Sequence, residues 1–115
     1  MTLKECYEAL GGNYDEAVAR LMNEDFATRM VKKFADKNTF AEMESAMADR
    51  DLTKAFEAAH TMKGNVLNLS FDRLAGSVSE FSDILKSGTF DGTDEVFTRV
   101  RDDFDATIAA IRQLD

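Results

Sequence analysis

The sequence predicts an all-α protein: an antiparallel up-and-down four-helix bundle with short additional helices at its N-terminus. Three observations predict it. The 115 residues include no proline and only six glycines, so little interrupts long helices. Apolar residues recur at i, i+3, i+4 and i+7 in segment after segment, the spacing of a core-facing helical stripe. Cap-forming residues and glycines separate these segments by only a few positions, and short connections make sequential helices antiparallel neighbours.

Met1 to Gly12 forms the first short helix. Thr2-Leu3-Lys4-Glu5 fits a capping box, and Gly11-Gly12 ends the element. Leu3, Cys6, Tyr7 and Leu10 line one face. Cys6 lies on that stripe and reads as a packing residue; a reactive thiol needs a nearby cation or helix N-terminus, which the sequence does not promise. Asn13-Tyr14-Asp15-Glu16 is a second cap signal, followed by Ala17, Val18, Leu21 and Met22 as a short apolar stripe. Asn23-Glu24-Asp25 opens a third helix that carries Phe26, Met30, Val31 and Phe34. Its early acids and later Lys32 and Lys33 suit the helix dipole.

Asp36-Lys37-Asn38 interrupts, and a kink or short break is expected near Asn38. Thr39-Phe40-Ala41-Glu42 reads as a further capping box, with Phe40, Met43, Ala46 and Met47 at helical spacing after it. The polar Asp49-Arg50-Asp51 leads into a long amphipathic run, Leu52 to Ser70, whose core face is Leu52, Ala55, Phe56, Ala59, Met62, Val66 and Leu69. The next helix runs from Phe71 to about Lys86. Leu74, Val78, Phe81 and Leu85 point inward, with Ala75 and Ile84 beside them, and the small Gly76 and Ser77 suit close packing on the preceding helix. Ser87 to Gly92 is the clearest loop. Thr93 caps the last helix, which runs to about Gln113 with Val96, Phe97, Val100, Phe104, Thr107, Ile108, Ile111 and Leu114 on its stripe. Asp102, Asp103 and Asp105 read as an exposed acidic face, because divalent sites need oxygens that converge from a loop or several elements. The whole is expected to be one domain, 1–115, with N-terminal helices over 1–22 and the bundle over 23–115.

Composition excludes several functions. The formal charge of −8 disfavours nucleic acid and anionic membrane surfaces as partners. No apolar run approaches a membrane span, and the N-terminus lacks the apolar core of a signal peptide, so a cytoplasmic, monomeric protein is expected. The single cysteine cannot form an internal disulfide, and one cysteine with one histidine cannot build a Cys/His metal site, so no metal and no bound cofactor are expected. There is no G-x-x-x-x-G-K-[ST] loop and no other glycine-rich nucleotide motif, so the chain should not phosphorylate itself from ATP. No hydrolase arrangement can be organised around one histidine here, and no nucleophile elbow occurs.

Chemistry concentrates at His60-Thr61-Met62-Lys63-Gly64, which holds the only histidine. On a helical wheel His60 lies roughly 100–110° from the centre of its helix's core face, at the rim or the surface. An exposed imidazole is nucleophilic near neutral pH and can take up an acyl or phosphoryl group. Lys63, three positions on, would set a positive charge where phosphoryl oxygens gather. Gly64 costs about 1 kcal/mol in a helix relative to alanine, and room for another surface beside His60 is one reason to keep it. Glu57, one turn earlier, could accept a hydrogen bond from Nδ1 and leave Nε2 free. Taken residue by residue, a surface histidine without a task, a commonplace lysine and a glycine that only relieves packing explain the same letters.

The longer segment, His60 to Leu69, resembles the signature of histidine phosphotransfer (HPt) domains of multistep two-component signalling, roughly H-[ST]-L-K-G-[SN]-x-x-x-[LIF]-G. His60, Lys63 and Gly64 match its defining positions and Thr61, Asn68 and Leu69 match frequent ones, while Met62 replaces the usual leucine. Phe34, the run Met43 to Leu52, and Leu74 with the apolar helix after it extend the likeness over roughly Arg20 to Leu85. Ser70 departs from it: the family usually has glycine there, and serine is expected to serve as N-cap of the following helix.

The resemblance implies that His60 is a phosphoacceptor relaying phosphoryl groups between the aspartates of receiver domains, those of hybrid sensor kinases and of response regulators. It implies that Lys63 stabilises phosphoryl charge, that Gly64 leaves room for the receiver, and that Mg²⁺ resides on the receiver. Thr61, Leu67 and Asn68 are candidates for the docking rim. Such a chain is a carrier rather than an enzyme. Two other readings stay open: a non-catalytic module that binds receivers or kinases, and the histidine-bearing substrate domain of a chemotaxis-type kinase.

Overall fold

Seven helices follow one another with no strand: α1 (Leu3–Leu10), α2 (Tyr14–Leu21), α3 (Glu24–Asp36), α4 (Phe40–Asp49), α5 (Leu52–Asn68), α6 (Asp72–Lys86) and α7 (Thr93–Ile111). The structure is a computed structural model and describes residues 1–115. The local cap signals account for most helix starts. Thr2 and Glu5 close a reciprocal capping box, at 3.2 and 2.9 Å. Asn13, Asn23 and Asp51 each accept a hydrogen bond from the N–H three residues on. Gly11 ends α1 at φ +78°, a backbone state that a β-carbon disfavours.

Four columns make the antiparallel bundle: α3 with α4, then α5, α6 and α7. The first column breaks over residues 37–39, where the break near Asn38 was expected. Aromatic rings close it against α7: Phe40 stacks on Phe104 with centroids 4.3 Å apart and on Phe97 at 5.8 Å, and Phe34 meets Phe104 edge-on. Ion pairs on the rim, Glu44–Arg101 and Asp94–Arg50, bridge the same two columns. The buried apolar residues form one continuous cluster, which takes in Leu3, Cys6, Tyr7 and Leu10 of α1 together with the bundle. Cys6 is buried, and burial pushes its thiol up to about 11, the behaviour of a packing residue.

Several expectations fail for identifiable reasons. Thr39 forms no capping box; its hydroxyl instead donates to the Ala58 carbonyl of α5 at 2.8 Å, while Asn38 accepts from the Phe40 N–H. Gly92, not Thr93, is the cap of α7; Thr93 is its first residue, buried, and its hydroxyl donates to the Phe90 carbonyl. Met22 leaves the apolar stripe and is 84% exposed, because the chain turns there at φ +78°. Gly76 is exposed with no atom near its missing β-carbon, since it sits two positions from both Leu74 and Val78, on the opposite side from the inward stripe. The small residues buried in α5 are its own Ala55, Ala58 and Ala59.

Ser70 is the most instructive correction. It is not an N-cap: Phe71 holds that position, and Ser70 is buried at φ +57°. The left-handed conformation is the physical reason for a glycine at this place. Here the serine is held from outside. Its hydroxyl donates to Glu16 at 2.8 Å and accepts from Arg20 at 2.7 Å. Arg20 also donates to the carbonyls of Leu67 and Asn68, each at 3.0 Å. Tyr7 donates to the Leu69 carbonyl at 2.8 Å, and the Asn13 N–H donates to the Ser70 carbonyl at 2.9 Å. The last carbonyls of α5, which no helix can satisfy internally, are thus capped by α1, α2 and the turn between them. The Ser70 hydroxyl and the Arg20 guanidinium hold the Glu16 carboxyl below its usual range.

Tyr7→Phe keeps the ring but leaves the Leu69 carbonyl without this buried donor. It should cost about 1–3 kcal/mol, read as a lower urea midpoint at unchanged m-value. A midpoint equal to wild type would mean that the bond contributes nothing.

Candidate functional site

The α5 helix carries the site because its inner stripe is fully committed to the core. Ala55, Ala58, Ala59, Met62 and Val66 are buried, with α4 and α6 as the flanking neighbours. What remains is one outward arc. By the 100° step, Glu57, His60, Thr61, Lys63, Gly64, Leu67 and Asn68 span about 160° of the helix circumference. Lys63 is partly covered, at the α6 edge, and the other six are exposed. All seven residues singled out in the sequence therefore share one surface.

His60 is on the rim, as the wheel predicts. Its ring lies over that of Phe56, one turn earlier, with centroids 5.6 Å apart and planes inclined by 25°. Glu57, expected to accept from Nδ1, makes no hydrogen bond to the imidazole, and neither does any other group of the chain; the Phe56 ring is the contact that orients it. Neither ring nitrogen is therefore tied to another group of the chain.

Lys63 does not lean towards His60. Its ammonium is 3.9 Å from the Asp83 carboxylate of α6, and the two side chains are 33% and 72% exposed. Sequence reasoning missed Asp83, which stands on a different helix with no periodicity to link it to residue 63. An exposed pair of this kind holds by a few tenths of a kcal/mol to about 1 kcal/mol, so Lys63 can exchange Asp83 for a stronger anion nearby.

Gly64 is informative through what surrounds it. A β-carbon there would meet nothing within 4 Å, so no packing within the chain requires glycine. Leu67, 50% exposed, is one of two large apolar side chains left in water, the other being Met22. Two grooves lie on one side of the ridge, against the α3–α4 column. Met30, Lys33, Phe34, Lys37, Asn65, Asn68 and Leu69 line one, between α3 and the end of α5. Glu57 and Thr61 help to line the other, between α4 and the first half of α5. No group of three or more His, Cys, Asp or Glu side chains is placed to hold a metal ion, and Asp102 and Asp105 are exposed along α7. No helix is long and apolar enough to cross a membrane.

The one imidazole of this bundle thus stands on an open surface, on a helix whose other side is buried in the core. The model of the Hpt domain matches residues 36–112, more than half of the chain, and the protein belongs to the Hpt domain family. Hpt domains carry phosphoryl groups in two-component signalling, interact with receiver or kinase domains, and are not enzymes with ATP-binding machinery. No curated protein and no solved structure matches the chain.

Because Gly64 and Gly76 both lie on exposed helix faces with free space at the β-carbon, alanine at either should stabilise the free protein by about 0.5–1 kcal/mol. Urea unfolding checks this. A destabilised Gly64→Ala would reveal an internal packing role.

Proposed function

We propose that the protein is a phosphorelay intermediate in which His60 accepts a phosphoryl group from the aspartyl phosphate of one receiver domain and passes it to the aspartate of another. The observation that carries this reading is the exposed imidazole, unengaged by any hydrogen bond of its own chain, within a His60-x-x-Lys63-Gly64 segment of the Hpt-matched region. In the forward step the unprotonated ring nitrogen attacks phosphorus. The P–N bond forms as the P–O bond to the receiver's aspartate breaks, the carboxylate leaves with the electron pair, and the other ring N–H gives its proton to water. The return step reverses each change on a second receiver. Mg²⁺, held by the receiver's own carboxylates, would supply positive charge to the transferring oxygens.

Lys63 is the charge this chain contributes, once it exchanges Asp83 for the phosphoryl group. Gly64 is reserved for the approach of the partner, which fits the empty space at its β-carbon. Thr61, Leu67 and Asn68 form the docking rim, and Glu57 joins them there rather than orienting the ring. The same reading takes residues 1–115 as a single domain, supported by the shared core of α1 and the bundle and by the capping of α5 from residues 7–20. It takes the chain as a cytoplasmic monomer.

Incubation with a panel of prephosphorylated receiver domains, beside ATP alone, tests the proposal. Receivers should label the wild-type chain and ATP should not. The label should be acid-labile, survive base, and vanish in His60→Gln while helicity and melting stay near wild type. Lys63→Ala should slow transfer by about tenfold or more without unfolding the bundle. A folded protein that binds receivers and takes no label would instead be a sequestering module.

A further inference from the structure

The α3–α4 column runs antiparallel to α5 along its length, and its charge changes sign at the level of His60. Lys33 and Lys37 of the α3 end share a groove of about 200 Å³ with Asn65, Asn68 and Leu69. Further along, the Thr39 hydroxyl meets the Ala58 carbonyl and fixes the register. Beyond that point Glu42 and Asp49 of α4 share a groove of about 610 Å³ with Glu57, Ala58 and Thr61. None of Lys33, Lys37, Glu42, Asp49 or Glu57 is in an ion pair with another side chain. Lys54, on the edge of the acidic groove, is already turned to Asp51 at 4.0 Å. Lys32 and Asp36, their sequence neighbours, line a different depression together with Ile111 and Leu114. In a chain of net charge −8, two unpaired lysines facing one groove are a local reversal of sign.

We infer that these grooves form one charge-divided docking surface that admits a receiver domain in a single orientation, with His60 on the adjoining outer arc of α5 at the level where the sign changes. The inference rests on the relay reading. A receiver's phosphorylatable aspartate must lie among the carboxylates that hold Mg²⁺, so a partner seated over His60 brings acidic groups to this face, which Lys33 and Lys37 attract and Glu42, Asp49 and Glu57 repel. The opposite pole, Glu42, Asp49 and Glu57, then takes a basic segment of the same partner. Exposed rim charges of this kind act on the rate of encounter and on register, more than on the strength of the final contact. The two poles would repel a receiver turned end for end, which sets specificity by orientation as well as by attraction.

The test uses one receiver domain that labels the wild-type chain, prephosphorylated with phosphoramidate, at low and high salt. Lys33→Glu/Lys37→Glu should lower the second-order transfer rate by about tenfold at low salt and flatten its salt dependence, with the saturating rate within about twofold of wild type. Glu42→Lys/Asp49→Lys should do the same. All four residues lie outside the core, and melting checks that each variant folds. The neutral pairs Lys33→Gln/Lys37→Gln and Glu42→Gln/Asp49→Asn should move the rate in the same direction by less, and they decide the matter if a reversed pair unfolds. Either pole giving an unchanged or faster second-order rate overturns the divided surface and leaves the relay intact. A wild-type chain that no receiver labels removes the relay reading, and this inference with it.

Discussion

Burial of the α5 stripe is the constraint on which the rest of the site depends. Ala55, Ala58 and Ala59 present almost no side chain, so α5 can lie close to its neighbours, and Met62 and Val66 fill the remaining space. Rotation of α5 by one residue would swing about 100° of its surface and bury a charge. The helix therefore has one stable setting. That setting leaves His60 on the outer arc with Phe56 beneath it, and Lys63 at the edge where α6 supplies Asp83.

The far end of α5 is secured by a part of the chain that the Hpt match does not cover. Residues 1–35 precede the matched segment, yet Tyr7, Asn13, Glu16 and Arg20 provide the bonds to residues 67–70. Ser70 explains the need. A serine at φ +57° is costlier than the family's glycine, and its hydroxyl gives the chain something glycine lacks, a partner for both Glu16 and Arg20. The strain at the turn and the docking of α2 thus compensate one another.

The surface charge fits a carrier that meets partners briefly. In the proposed relay the His60 imidazole, free of hydrogen bonds to its own chain, needs to break none of them to meet a partner. Lys63 is tethered only through an exposed pair with Asp83, which costs little to release. In a brief contact of the proposed kind, encounter and orientation respond most to unpaired rim charges such as those along the α3–α4 column.

The sequence by itself determined the helices, their order and the outward arc of α5. These rest on local chemistry: capping at Thr2, Asn13, Asn23 and Asp51, and a 3.6-residue period that separates Met62 and Val66 from His60 and Gly64. The tertiary structure decided whatever depends on groups far apart in the chain. Thr39 holds the N-cap position of α4, but its hydroxyl goes to the Ala58 carbonyl instead of a capping bond, and Ser70 looked like a cap until Glu16 and Arg20 held it left-handed. Glu57 stood one turn from His60, but reach along a helix did not produce a hydrogen bond. Asp83 reached Lys63 because α6 packs beside α5. Helical period is a property of neighbours in sequence; the partner of a charge or hydroxyl is set by helix packing, which brings distant residues together.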